Sequence, residues 1–120
     1  EHFHIPKIKN TYLLLCAFKE ADKLYKRGRF EEAVKCYDEA LKLDPEDVRV
    51  LNLKGKAFLK FGKFKDAIKC FDKVIKFFPK GPEAWYNKGD ALQARGKVKD
   101  AKKCFDNAVK LDPSIRHPLR

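Results

Sequence analysis

The chain has 120 residues and carries 28 Lys and Arg against 17 Asp and Glu, a formal net charge of +11. That length bounds one domain, and its longest apolar run, YLLLCAF at 12–18, is far too short to span a bilayer. One serine (Ser114), one threonine (Thr11) and three histidines confined to the terminal segments (His2, His4, His117) offer no nucleophile–base pair in the body of the chain, so no enzyme chemistry is expected.

In chain order, the hydrophobic spacing predicts six helices near residues 11–26, 30–42, 48–60, 64–76, 82–94 and 98–111, and no strand. The first ends at Gly28, because glycine can take the left-handed conformation that stops a helix. The second stops before Pro45, which cannot continue one. The third carries Leu51, Gly55 and Phe58 on one face and ends at Gly62. The fourth carries Ala67, Phe71, Val74 and Ile75 and stops before Pro79. The fifth holds Trp85, Gly89 and Leu92 and ends at Gly96; the sixth holds Ala101, Phe105 and Ala108 and stops before Pro113. These elements repeat every 34 residues: Gly28-Arg29-Phe30 becomes Gly62-Lys63-Phe64 and Gly96-Lys97-Val98, followed each time by Ala33, Ala67 or Ala101. A fixed period of this length means one helix pair stacked three times.

This pattern resembles the tetratricopeptide repeat family. The third unit matches best, through Trp85, Gly89, Leu92, Gly96, Ala101, Phe105, Ala108 and Pro113. The resemblance implies an all-α fold, a right-handed α-solenoid of antiparallel helix pairs. Its units run over 14–47, 48–81 and 82–115, with an N-terminal extension at 1–13 and a tail at 116–120. Glu1 and the lack of any methionine suggest a piece of a longer protein.

Cys36, Cys70 and Cys104 occupy one position in successive units, at least a helix-packing distance of about 8–10 Å apart. A disulfide needs Cα atoms closer than about 7 Å, so all four cysteines, Cys16 included, are expected to be free thiols in a reducing, cytoplasmic setting. No cofactor is expected, nor a metal: His2 and His4 read as a frayed terminus. The run from Gly55 to Lys63 lacks the spacing and the Ser/Thr of a phosphate-binding loop.

Charge divides unevenly, with net values of −2, +8 and +2 over the three units. Part of this is solvation: Lys69, Asp72, Lys73 and Lys76 lie three or four apart and are expected to pair within one helix. The 22 lysines, beside one glutamine and no methionine, also suit a heat-adapted surface.

The resemblance further implies that the first helix of each unit lines a concave groove. The groove residues are then Phe18 and Tyr25 from unit one, Arg49, Asn52, Lys56 and Lys60 from unit two, and Tyr86 and Asn87 from unit three, with Asp22 and Glu83 among them. Such a groove has a basic centre and aromatic flanks, suited to a protein or peptide segment with acidic residues at its middle. A subset of the family grips chaperone C-termini with five Lys, Asn and Arg residues. The matching positions here are Phe18, Asp22, Leu53, Glu83 and Asn87, which do not supply that clamp.

The expected function is therefore a non-enzymatic protein–protein interaction module, an adaptor or scaffold, with no membrane partner. The alternative is binding of nucleic acid or another polyanion through the basic second unit, although no nucleic-acid motif supports it. Pro118 prevents a full closing helix, leaving the last helix with an expected apolar flank. Tyr12, Leu13, Leu14 and Leu15 extend the first helix with little polar relief, so end-to-end stacking of copies is expected.

Overall fold

A computed structural model describes residues 7–119, with side chains from Leu15 onward. It contains six helices: α1 (Lys7–Lys26), α2 (Phe30–Leu43), α3 (Val48–Lys60), α4 (Phe64–Phe77), α5 (Pro82–Ala94) and α6 (Val98–Leu111), with no strand among the described residues. Helix α1 begins four residues before its expected start. Residues 7–10 contain no glycine or proline, so nothing in the sequence stops the helix before Pro6. Helices α2 and α4 each run one residue further than expected, up to Asp44 and Phe78, whose φ of −146 and −143° leaves the helical region.

The turn inside each pair is the same. Gly28, Gly62 and Gly96 have φ of 77, 85 and 80°, where a side chain would be strained. The next amide in each case, of Arg29, Lys63 or Lys97, donates to the carbonyl of Leu24, Phe58 or Leu92 at 2.9 Å. These bonds satisfy carbonyls that the helix end would otherwise orphan.

Close approach within a pair comes from small residues. Tyr37, Phe71 and Phe105 stand at one repeat position and are fully buried, as are Ala33, Ala67 and Ala101. A Cβ on Gly55 or Gly89 would clash with the ring of Phe71 or Phe105; the first pair places the fully buried Ala21 there, in the cluster with Tyr37. Each helix packs on its neighbours in sequence, α3 also touches α5, and the stack extends over 57 × 28 × 23 Å. This is the expected solenoid of helix pairs.

Two short ion pairs tie one pair to the next, Lys54 to Asp38 at 2.6 Å and Lys88 to Asp72 at 2.7 Å. The spacing predicts that Asp72 pairs along its own helix with Lys69 or Lys76; instead it reaches across to α5. The reason is that Lys88 is half-buried between the helices and holds its ammonium near the aspartate, whereas the α4 lysines extend into water.

The chain after α6 also departs from expectation. Residues 112–119 form no helix, yet they fold back over α6. His117 is buried, with Nε2 2.8 Å from Asp106 Oδ1, its ring edge-on to Phe105, and Leu119 packed against the cluster of Leu92, Ala101, Cys104 and Phe105. The apolar flank of α6 is thus partly covered, although Val98 and Leu111 remain exposed.

Candidate functional site

The first helices of the three pairs face one groove. Its main cavity, about 640 Å³, takes Phe18 and Asp22 from α1, Val48, Arg49, Asn52 and Leu53 from α3, and Pro82, Glu83 and Ala84 from α5. Val74 and Phe78, at the end of α4, and Gly81 complete its wall. Five expected groove residues, Phe18, Asp22, Arg49, Asn52 and Glu83, therefore meet in one place. Arg49 lies with its guanidinium 4.3 Å from the centre of the Phe18 ring, a cation–π contact that holds the charge over an apolar floor. Arg49 also approaches Asp47 at 4.0 Å, an exposed contact of little energetic weight.

The remaining expected residues are distributed differently. Lys56 stands 4.0 Å from Glu83 across the groove. Lys60 borders a second depression of about 490 Å³ with Leu59, Phe64, Asp90, Gln93 and Ala94. Burial there raises the Asp90 carboxyl above its ordinary range, and the charge of Lys60 opposes that rise. Tyr25 lies outside both cavities: it packs edge-on to Phe30, and burial raises its phenol. Tyr86 rests on Phe105 with ring centres 5.2 Å apart. Asn87 is buried and its Nδ2 has no hydrogen-bond partner; the same holds for Oδ1 of Asn52, in the cavity, and for the hydroxyl of Tyr37. Of the expected self-association residues, Leu15 is exposed, while the side chains of Tyr12, Leu13 and Leu14 lie outside the described residues, as do His2 and His4.

Spacing alone missed Val74, Phe78 and Gly81, because they belong to the end of α4 and the turn after it. The signal was present in the internal comparison: Leu-Asp-Pro in units one and three is Phe77-Phe78-Pro79 in unit two. Among the described residues no group of three or more His, Cys, Asp or Glu converges as a metal site. No helix among them is long and apolar enough to cross a membrane.

Sequence profiles described as tetratricopeptide repeat match residues 18–82 and 82–115. The chain belongs to the tetratricopeptide repeat family, whose members are protein-interaction modules, and it is not an enzyme. No curated protein matches it. Among solved structures, the second such domain of human RPAP3, in complex with the HSP70 peptide SGPTIEEVD, is 22% identical, with TM-score 0.84 over 92% of both chains. The Arabidopsis OM64 domain is 24% identical, with TM-score 0.84 over 90% of this chain and 89% of that one. The Yersinia enterocolitica type III secretion chaperone SycD, in complex with a peptide of the translocator YopD, is 22% identical, with TM-score 0.80 over 84% and 77%.

Proposed function

We propose that the groove binds an extended or helical segment of a partner protein that carries acidic residues at its middle. The observation that carries this reading is the gathering of Arg49, Phe18 and Asn52 in one cavity that Asp22 and Glu83 also line, with Lys56 beside Glu83 and Lys60 at the second depression to receive the acidic residues of the segment. Arg49 and the two lysines supply charge-assisted bonds, and the pairing of Lys56 with Glu83 at 4.0 Å is loose enough for an incoming carboxylate to replace. Two similarly folded proteins are bound to peptides, which supports a peptide as the class of ligand. The chaperone-tail clamp of the family is absent, since Asp22 and Glu83 stand where a carboxylate would have to bind. Four free thiols, two of them buried, suit a cytoplasmic setting.

The test is charge reversal at two places. Peptides selected from a display library for binding to the chain are titrated by fluorescence polarisation. Lys56→Glu should weaken binding at least tenfold, Lys73→Glu less than twofold, and affinity should fall as salt rises. Equal losses from both variants, or a failure to select any acidic peptide, would leave the groove without its role.

Equal losses would favour the second reading, a nucleic acid or other polyanion held by the basic second unit as a whole. Among the described residues, Lys65, Lys69, Lys73 and Lys76 of α4, in the second unit, have no carboxylate within 4.0 Å, which is the observation that favours it. Titration with single-stranded nucleic acid in rising salt measures that binding directly.

A further inference from the structure

The two turns that join one helix pair to the next, and the one that follows the last pair, share a backbone but not a chemistry. Asp44, Phe78 and Asp112 end α2, α4 and α6 with φ of −146, −143 and −140°, and the carbonyl of each accepts the amide three residues on at 3.1–3.2 Å. In the first and third turns the aspartate also accepts an amide two residues ahead, Glu46 N at 3.3 Å and Ser114 N at 3.1 Å, a local brace for the turn. Phe78 makes no such bond. The residue before the following helix changes with it. Asp47 caps α3 by accepting the amides of Arg49 and Val50, whereas Gly81 leaves the start of α5 without a side-chain cap.

The backbone does not require that glycine. Gly81 has φ −80° and ψ 115°, close to the −69° and 100° of Asp47. What requires it is Phe78: a Cβ at position 81 would lie 2.6 Å from the ring. The two departures are therefore one feature, an aromatic ring seated on a glycine. Burial of the ring does not explain it, since Phe78 is 51% exposed. Its position in the wall of the 640 Å³ cavity does, together with Phe18, Leu53 and Val74. Asn52 lines the same cavity, with its Oδ1 buried behind the wall.

We propose that this cavity is the subsite for one large apolar side chain, aromatic or branched aliphatic, of the peptide bound in the groove. The inference rests on the groove reading and adds what the charges cannot supply, a fixed register for the bound segment. An aromatic side chain buries about 150–250 Å², and the cavity of about 640 Å³ has room for one. The site is continuous with the basic residues, because Arg49 stacks on the same Phe18 that floors it.

The experiment uses the internal repeat as its control. Phe78→Asp restores the residue that the other two turns carry, so the variant should melt at or above the temperature of the parent chain. Twelve-residue peptides selected from a display library against the parent should share a Phe, Trp, Leu or Ile at one fixed distance from their acidic residues. Replacing that residue by Ala, or Phe78 by Asp, should each weaken binding at least tenfold, and the two changes together should cost little more than either alone. Selected peptides that lose affinity with Lys56→Glu but not with Phe78→Asp would overturn the subsite and leave the groove reading standing. Peptides insensitive to both substitutions would overturn both. A marked drop in the melting temperature of Phe78→Asp would show that the ring serves the fold instead, and would also overturn the proposal.

Discussion

His117 and Asp106 meet at 2.8 Å, at the position where Asp38 and Asp72 meet lysines of the following helix pair. Leu119 donates its backbone amide to Nδ1 of the same ring at 3.1 Å, so the neutral ring carries its hydrogen on Nε2 and gives it to the carboxylate. The segment after α6 thus occupies part of the surface that α3 and α5 occupy on α2 and α4. It does this with single side chains rather than a helix.

Removing that contact should destabilise the last pair first. His117→Ala leaves Asp106 with one partner fewer and uncovers Phe105, at a cost of about 1–3 kcal/mol. Urea denaturation reads the loss, and hydrogen exchange should show it concentrated in α6. An unchanged midpoint would mean that the tail adds nothing to the stack.

Ala67 tests the helix crossing. It is fully buried in the cluster with Phe71 and Ala91. Ala67→Leu should overpack it and cost about 1–3 kcal/mol. An unaltered melting temperature would argue against the tight approach of α3 and α4.

The cysteines should separate by reactivity. Cys16 is exposed, Cys36 half-buried, and Cys70 and Cys104 buried. Burial pushes the Cys70 thiol up to about 11 from an ordinary value of 9.0. Alkylation at pH 8 should therefore modify Cys16 first and Cys70 only as the chain opens. The raised value also fixes a sign for stability. The folded state holds the neutral thiol, so its contribution is intact below about pH 9 and declines as pH rises toward about 11, where the unfolded chain ionises first. Cys70→Val should lose that part of the alkaline decline in pH-dependent melts.

Self-association has a preferred obstacle. In the register that would continue the stack, α1 of a second copy must displace His117 and Leu119, and it then brings Glu20 to Asp106, where Lys54 and Lys88 meet Asp38 and Asp72. We propose that end-to-end contact, using the exposed Leu15 and Val98, forms only in concentrated solution. Glu20→Lys should then raise the dimer fraction in sedimentation velocity at a given concentration. A fraction unaffected by the substitution would exclude this register.

The period of 34 residues determined by itself that the chain forms helix pairs, where each turns and which residues fill its interior. These are local decisions: Gly28, Gly62 and Gly96 stop helices by backbone conformation, and the spacing of Ala67, Phe71 and Val74 gives one apolar face whatever lies beyond it. The placement of Phe18, Arg49 and Asn52 on a common groove was legible for the same reason, since repeat position translates into helix face. What only the tertiary structure decided lies between the repeats. Asp72 could pair along its own helix or across to Lys88, and the stacking distance chose the second. Tyr25 reads as a groove aromatic by position, yet the neighbouring Phe30 draws it aside. Phe78 and Gly81 look like an irregular turn until the ring is found over the glycine, and His117 looks like a loose terminus until it meets Asp106. Such contacts join residues whose separation in space depends on how whole helix pairs lean on one another, a geometry that no window of sequence contains.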